Sequence, residues 1–374
     1  MSRRIALALT ALGMTLAMLP FALVRASNAT AHGEQGSGRG VPLLGFVRGD
    51  AELPRHLEYV RLDSRALDGN LLGDSRTREL GVLLPPSYFH APERRFPVVY
   101  LLHGLGPREH GHLGYVGVQR TAFHQMESGE LPEHILVAVD GTTSLGGSYY
   151  TRSPTTGDFE QYVVREVVGA VDARYRTRAE AQWRAIAGFS MGGHGAIKLA
   201  MKYPGLFSSV GTLSASPLSL EQRRTLYRDA LANKPVARDA RELMALYPFE
   251  DAWTVASIYA KAAVFSPARS HPPLFLELPF QSGRDDDPVW RRWLEEDPLT
   301  LLPRHHAALR TLDLLYMDRG SQETFLGAEA FDRALESFGI PFRHQVFEGG
   351  HADDFQDRHL RMLRSLAMRW TPGA

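Results

Sequence analysis

The sequence predicts an α/β fold in which a mostly parallel central sheet is flanked by helices. Three observations support this class. Ser190 lies between glycines where an apolar, strand-like run passes into a helical pattern. Further apolar runs of strand length end at loops that carry polar residues. The 374 residues, 44% hydrophobic and 22% charged, are also sufficient for one large domain.

The individual elements follow from the pattern in chain order. Extended segments between residues 57 and 84 predict antiparallel opening strands, the last of which stops at two prolines. Asp158 is predicted to cap a helix that runs through Tyr175, with Gln161 completing a capping box. The other predicted strands are residues 96–102, 135–139, 183–187, 210–213, 311–317 and 342–347, and a further predicted helix covers residues 195–202.

The segment from Gly188 to Gly193, with the sequence G-F-S-M-G-G, has the nucleophile-elbow pattern. Such a turn is too tight for bulky flanking side chains, and it exposes the serine hydroxyl at the carboxyl end of the sheet. The strand ending at residue 102 runs into a glycine-containing loop, residues 103–106. A backbone N–H of this loop, beside the N–H of Met191, would form an oxyanion hole above Ser190.

Candidate partners of Ser190 follow two later strands. The strand at residues 311–317 opens into a loop with two acids, Asp318 and Glu323, and the last predicted strand ends shortly before His351. The order serine, acid, histidine is the one expected of α/β-hydrolases. A neutral hydroxyl is a poor nucleophile, so Ser190 needs His351 as its base and an acid to orient the imidazole.

These motifs together resemble one esterase family. They are residues 100–104 (YLLHG), Ser153–Pro154, residues 157–160 (GDFE), the G-F-S-M-G-G elbow, residues 318–323 (DRGSQE) and residues 349–351 (GGH). The family includes esterase D (S-formylglutathione hydrolase), feruloyl esterases and the antigen 85 mycolyltransferases, and the similarity runs from about Leu57 to the C-terminus. The resemblance implies an α/β-hydrolase fold and a serine acyl-enzyme mechanism.

The resemblance also implies roles for single residues. Ser190 matches the family nucleophile and His351 its base. Glu323, three residues after a glycine, matches the acid, and Asp318, nearer the strand end, is the alternative. Leu105 matches the position that supplies the second oxyanion donor in antigen 85, although several esterases of the family have a glycine-rich loop there.

The predicted function is therefore that of a secreted serine esterase that hydrolyses a carboxylic ester. Water attacking the acyl-enzyme gives hydrolysis, whereas an alcohol gives acyl transfer, so an acyltransferase of the mycolyltransferase type is one alternative. A catalytically inactive binding protein with a hydrolase fold is another. The expected partner is a small-molecule, glycan or lipid ester.

A long segment, from about residue 217 to residue 310, separates two of the predicted strands. It has helical patterns and aromatic residues that include Trp253 and Tyr259. We hypothesise that this insertion is a helical cap that shapes the substrate pocket. The alternative is a helical buttress that does not contact substrate.

Composition excludes several other functions. The 42 basic and 42 acidic residues give a formal charge of zero, which provides no electrostatic attraction to nucleic acid. The absence of cysteine excludes disulfides, thiolate metal sites and a cysteine nucleophile. His305–His306 lacks metal-site spacing, and Asp285–Asp287 is interpreted as a solvated loop, so neither a metal nor a cofactor is predicted.

The N-terminus has the pattern of a secretory signal. A basic start precedes an apolar run from Ile5 to Val24 and the small residues at 29–31. We predict a signal peptide at residues 1–31, a flexible linker at 32–50 and the hydrolase domain at 51–374. The chain would then be secreted or periplasmic. Retention of the first segment as an N-terminal anchor is the alternative, and it would tie the protein to the cell envelope and the membrane.

Overall fold

An eight-stranded sheet forms the centre of the fold in the computed structural model, which describes residues 53–106, 112–233, 237–246, 250–323 and 327–371. The strands lie in the order β1-β2-β4-β3-β7-β8-β9-β10, and β5 and β6 form a separate small hairpin. The pairs β1/β2 and β2/β4 are antiparallel and the other neighbours are parallel. The strands are β1 Leu57–Asp63, β2 Thr77–Leu83, β3 Val98–Leu102, β4 Ile135–Val139, β5 Arg152–Ser153, β6 Gly157–Asp158, β7 Arg184–Phe189, β8 Ser209–Leu213, β9 Leu314–Gly320 and β10 Arg343–Phe347.

Helices cover both faces of this sheet. A π-helical turn at Tyr162–Val167 joins α3 to α4, so that one continuous helical segment precedes β7. The helices are α1 Leu53–His56, α2 Val116–Glu127, α3 Phe159–Gln161, α4 Val168–Arg174, α5 Met191–Lys202, α6 Arg224–Asn233, α7 Ala240–Met244, α8 Glu250–Phe265, α9 Pro288–Glu295, α10 Pro298–Arg310, α11 Ala328–Ser337 and α12 Phe355–Ala367.

The central strands are buried on both faces, which explains why they are apolar without alternation. In β3, Tyr100 and Leu102 join the core cluster that includes α4 and α5, whereas Val99 and Leu101 join the cluster that includes α2 and α12. The molecule therefore has a helix–sheet–helix layering. The predicted α/β-hydrolase fold, with a mostly parallel sheet flanked by helices, is confirmed.

The predicted helix cap at Asp158 is half correct. Its Oδ1 accepts a hydrogen bond from the Gln161 N–H at 3.0 Å. The reciprocal half of the capping box was wrong: the Asp158 N–H donates to the Ala66 carbonyl at 2.9 Å, and the Gln161 amide donates to the Tyr203 hydroxyl at 3.1 Å. Tertiary partners thus replace the local contact that the spacing predicts.

The segment between β8 and β9 contains helices α6 to α10. Helix α10 packs against α5, and the buried Lys198 of α5 forms an ion pair with Glu296 at 3.2 Å. Trp253 is 36% exposed, whereas Tyr259 is buried and helps to line a cavity of about 430 Å³. The lining of that cavity comes from residues 237–289 alone, so a role of the insertion in the substrate pocket stays a prediction.

The predicted signal peptide and linker lie outside the described residues. In the part of the chain that the structure describes, no helix combines the length and the apolar character that a membrane crossing requires.

Candidate active site

Ser190 occupies the sharp turn between β7 and α5. Its backbone angles, φ 55° and ψ −116°, lie outside the regions that a non-glycine residue normally adopts. A Cβ on Gly192 would lie 1.9 Å from the Leu102 carbonyl oxygen, and a Cβ on Gly188 would lie 2.3 Å from the Gly192 carbonyl carbon. The turn therefore requires glycine at both positions, as the elbow pattern implies.

The carboxyl ends of three parallel strands bring the predicted residues together. Ser190 follows β7, Glu323 follows β9 and His351 follows β10. His351 Nε2 lies 2.9 Å from Ser190 Oγ, and His351 Nδ1 is hydrogen-bonded to Glu323 Oε1. The ring of Phe189 packs on the imidazole at a centroid distance of 4.9 Å. The imidazole thus connects the hydroxyl to the carboxylate.

The other oxygen of Glu323 is also held. It accepts the Gly320 N–H at 2.6 Å and the Ser214 hydroxyl at 2.7 Å. Burial by itself would raise the pKa of Glu323, but the contact with His351 and these two bonds outweigh it, so the pKa lies below its ordinary value. An ionised Glu323 accepts a hydrogen bond from Nδ1–H, which leaves the lone pair of Nε2 facing Ser190.

Asp318, the alternative acid, has a different partner. It forms a buried two-point ion pair with Arg358, with distances of 3.0 Å from Nε to Oδ2 and 2.8 Å from Nη2 to Oδ1. Arg358 also donates to the His351 carbonyl at 2.9 Å, to the Asp353 carbonyl at 3.1 Å and to the Ser214 hydroxyl at 2.6 Å. Among the described residues, Asp318 makes no hydrogen bond to the His351 ring. Asp318 instead holds Arg358, which fixes the backbone at His351 and Asp353.

Sequence reasoning missed Arg358, although the pattern carried a signal. Arg358 falls on the apolar stripe of α12, one and two turns before Met362 and Leu366, and all three side chains are buried. A charge on such a stripe must be paired. Its position therefore pointed to a buried acidic partner.

The loop after β3 reaches the serine from the other side. A Cβ on Gly104 would lie 3.4 Å from Ser190 Cβ, which shows how closely the two backbones approach. A Cβ on Gly147 would contact the side chains of both Leu105 and Met191, so these two residues are neighbours. No hydrogen bond joins either of their N–H groups to another described residue.

Three hydrogen bonds fix this loop. His103 Nε2 accepts the Gly141 N–H at 2.8 Å, the Tyr150 hydroxyl donates to the His103 carbonyl at 3.2 Å, and the Gly106 N–H donates to the Gly146 carbonyl at 3.1 Å. These bonds anchor the loop to the segment that includes Gly141, Gly146 and Tyr150. Within the described ranges, no three metal-ligating side chains group together.

Comparison with known proteins gives the family. The family model described as "Putative esterase" matches residues 74–356, about three quarters of the chain. A curated relative, "Esterase MT1326" of Mycobacterium tuberculosis, is 33% identical over 149 residues. That alignment covers 38% of this chain and 30% of the relative, so the chain spans less than a third of that protein's length.

Solved structures share the fold at low sequence identity. A ferulic acid esterase has a TM-score of 0.54 at 21% identity, over 84% of this chain and 98% of its own. The serine hydrolase FphF of Staphylococcus aureus has a TM-score of 0.54 at 18% identity, with the same two coverages. The chain shares its fold with these solved structures, and, because the family model matches well over half of it, the chain belongs to the "Putative esterase" family.

Proposed function

We propose that this protein is a serine esterase that hydrolyses a carboxylic ester through an acyl-enzyme on Ser190. The observation that carries the proposal is the imidazole of His351, bonded on one side to Ser190 Oγ and on the other to Glu323. This arrangement supplies a nucleophile, a base and an orienting acid. Membership of an esterase family supports the same chemistry.

In the acylation step, His351 Nε2 removes the proton of Ser190 as Oγ attacks the ester carbonyl. Glu323 stabilises the imidazolium that forms. The N–H groups of Leu105 and Met191 donate to the developing oxyanion, and α5 directs the positive end of its dipole at the same place. His351 then protonates the departing alcohol.

In the deacylation step, the same groups act on water. His351 activates a water molecule that attacks the acyl carbonyl, and the proton it takes returns to Ser190 Oγ. If an alcohol occupies the place of that water, the product is a new ester instead. We propose hydrolysis as the main reaction.

We also propose that the protein works outside the cytoplasm, secreted or in the periplasm. The support is the basic, apolar and small-residue pattern at residues 1–31. Expression of the full chain with cell fractionation and N-terminal sequencing tests this. A mature chain that begins near residue 32 in the extracellular or periplasmic fraction supports export, and a full-length cytoplasmic chain refutes it.

The function is tested with short- and long-chain p-nitrophenyl esters, on the unmodified protein and on Ser190→Ala. We expect turnover that the substitution abolishes, with an acyl adduct on Ser190 in the intact mass. Ser209→Ala is the matched control, because this buried serine lies at the opposite, amino end of β8. Turnover that survives Ser190→Ala, or no turnover and no adduct with any ester, would refute the proposal. The second outcome would favour an inactive binding protein. Added alcohol that diverts product from free acid to ester would identify an acyltransferase.

A further inference from the structure

Arg223 is connected to the backbone of Ser190 through Ser216. The Ser216 N–H donates to the Ser190 carbonyl at 3.1 Å, and the Ser216 hydroxyl accepts a hydrogen bond from Arg223 Nη2 at 3.0 Å. Two hydrogen bonds therefore connect the guanidinium to the backbone of Ser190. Arg223 ends the short 3-10 turn Glu221–Arg223, at the start of the insertion.

The charge of Arg223 has no counter-ion among the described residues. No carboxylate of those residues forms an ion pair with it, and its Nε is buried without a hydrogen-bond partner. The next residue, Arg224, differs, since it pairs with Glu221 at 3.3 Å. A guanidinium has five N–H donors; one of those of Arg223 goes to the Ser216 hydroxyl, and the guanidinium also interacts with the Tyr227 hydroxyl.

A buried lysine, Lys261, interacts electrostatically with Arg223. Lys261 is 3% exposed, and its Nζ donates to the Ser257 carbonyl at 3.2 Å. The ammonium lies 4.7 Å from the ring centroid of Tyr149 and 5.3 Å from that of Tyr227, and none of the described carboxylates forms an ion pair with it. Burial first, and then repulsion by Arg223, lower the pKa of the Lys261 ammonium well below its ordinary value.

Arg223 therefore carries a positive charge that no carboxylate of the described residues pairs with. A partly desolvated guanidinium is unfavourable unless it is paired, and a carboxylate is the partner that matches its planar donors. A carboxylate on the substrate would complete the pairing that the described residues leave open.

We infer that Arg223 forms an anion subsite that binds a carboxylate on the ester substrate, near the ester bond. This inference rests on the proposed function. The subsite selects anionic over neutral esters. Arg223 thus acts on specificity, whereas Ser190, His351 and Glu323 act on the reacting atoms.

A purely structural role for Arg223 predicts a different result. If the arginine only supports the loop at Ser216, its loss would slow anionic and neutral esters alike. The test therefore compares esters of equal shape that differ in charge. One pair carries the charge on the alcohol side: the acetate esters of 4-hydroxybenzoate and 4-hydroxybenzamide. The second pair carries it on the acyl side: the mono-p-nitrophenyl esters of terephthalic acid and of its monoamide.

We expect at least one pair to show a higher kcat/KM for the carboxylate form. In that pair, Arg223→Gln should lower kcat/KM of the carboxylate ester by ~10- to 100-fold, the range of a charge-assisted hydrogen bond, and change the amide ester by less than about 3-fold. Arg223→Lys keeps the charge and should retain part of the preference. Arg224→Gln, which removes a neighbouring arginine with a carboxylate partner, should change neither ester. Raised salt should reduce the preference of the unmodified protein.

Two outcomes would overturn the subsite: no preference for the carboxylate in either pair, or an equal loss for charged and neutral esters in Arg223→Gln. The failure of the proposed function is a separate result, since it would abolish turnover of the neutral esters too. In that case, calorimetry with 4-hydroxybenzoate and terephthalate monoamide on Ser190→Ala and on Ser190→Ala/Arg223→Gln decides. Binding weakened ~10-fold by the arginine change supports the subsite, and undetectable or equal binding overturns it.

Discussion

Glu323→Gln and Asp318→Asn should affect different properties, because the two carboxylates have different partners. Glutamine at 323 donates through its amide as readily as it accepts, so it no longer fixes the Nδ1–H tautomer of His351. In serine hydrolases this kind of change lowers kcat by about 10⁴-fold. We expect ~10³- to 10⁴-fold here, with a loss of only about 1–2 kcal/mol in the free energy of unfolding, the scale of one or two hydrogen bonds.

Asp318→Asn should instead act on stability. The carboxylate and the Arg358 guanidinium are both almost fully buried, at 4% and 0% exposure. Removing one charge of such a pair costs about 3–5 kcal/mol. Arg358 keeps its bonds to the carbonyls of His351 and Asp353, so we expect a value near the lower end, about 3 kcal/mol. The loss of kcat should stay below about 10-fold where the variant is folded.

The assay measures kcat with p-nitrophenyl acetate at 25 °C, together with urea unfolding of the same preparations. Asp318→Asn with a 10³-fold loss of kcat and unchanged stability, beside an active Glu323→Gln, would refute the assignment of Glu323 as the acid. A free energy of unfolding that does not change in Asp318→Asn would refute the argument about the buried pair.

Two further predictions concern stability. Burial raises the pKa of Asp297 to about 7 from a model-peptide value of 3.8, so the folded state holds this proton more tightly and stability falls as pH rises from about 4 to about 7. Asp297→Asn keeps an acceptor for the Leu220 N–H and should remove this dependence of the free energy of unfolding on pH. In urea unfolding, the variant should be about 2–4 kcal/mol more stable than the unmodified protein at pH 8 and equally stable at pH 4. An unchanged pH dependence would contradict the prediction. Gly192→Ala should prevent folding, because the added Cβ would overlap the Leu102 carbonyl. Gly169 is exposed in α4, and no atom lies within 4 Å of a Cβ added there, so Gly169→Ala should raise the free energy of unfolding by about 0.5–1 kcal/mol. Thermal unfolding of both variants checks the pair, and a folded Gly192→Ala would show that the turn is less tight than described.

The fold was predictable because its signals are local. The strand at residues 135–139 was predicted with the bounds of β4, since a short run of branched apolar residues between polar loops has few alternatives. The start of α5 was placed later than it is, at residue 195 instead of Met191, because three of the first five residues of α5 are glycines with low helix propensity. Close packing of the elbow overrides that propensity.

The polar groups beneath the candidate site were harder to predict. The side-chain partners of Arg358, Asp318 and Ser214, lie 40 and 144 residues away along the chain, and no spacing rule connects them. Asp287 was interpreted as part of a solvated loop, and this was wrong: it is 3% exposed and accepts the N–H groups of Val289 and Trp290, both at 2.8 Å. The sequence contained that signal, because an aspartate directly before Pro288 is a typical helix start.

The exposure of the histidine has a consequence for the size of substrate that the proposed enzyme accepts. The side chain of His351 is 42% exposed in the described structure, which puts the imidazole near the protein surface. An ester on a polymer would need to present only its acyl group and the first atoms of the alcohol. Such an enzyme would remove single ester groups from a polymer far larger than itself without enclosing that polymer.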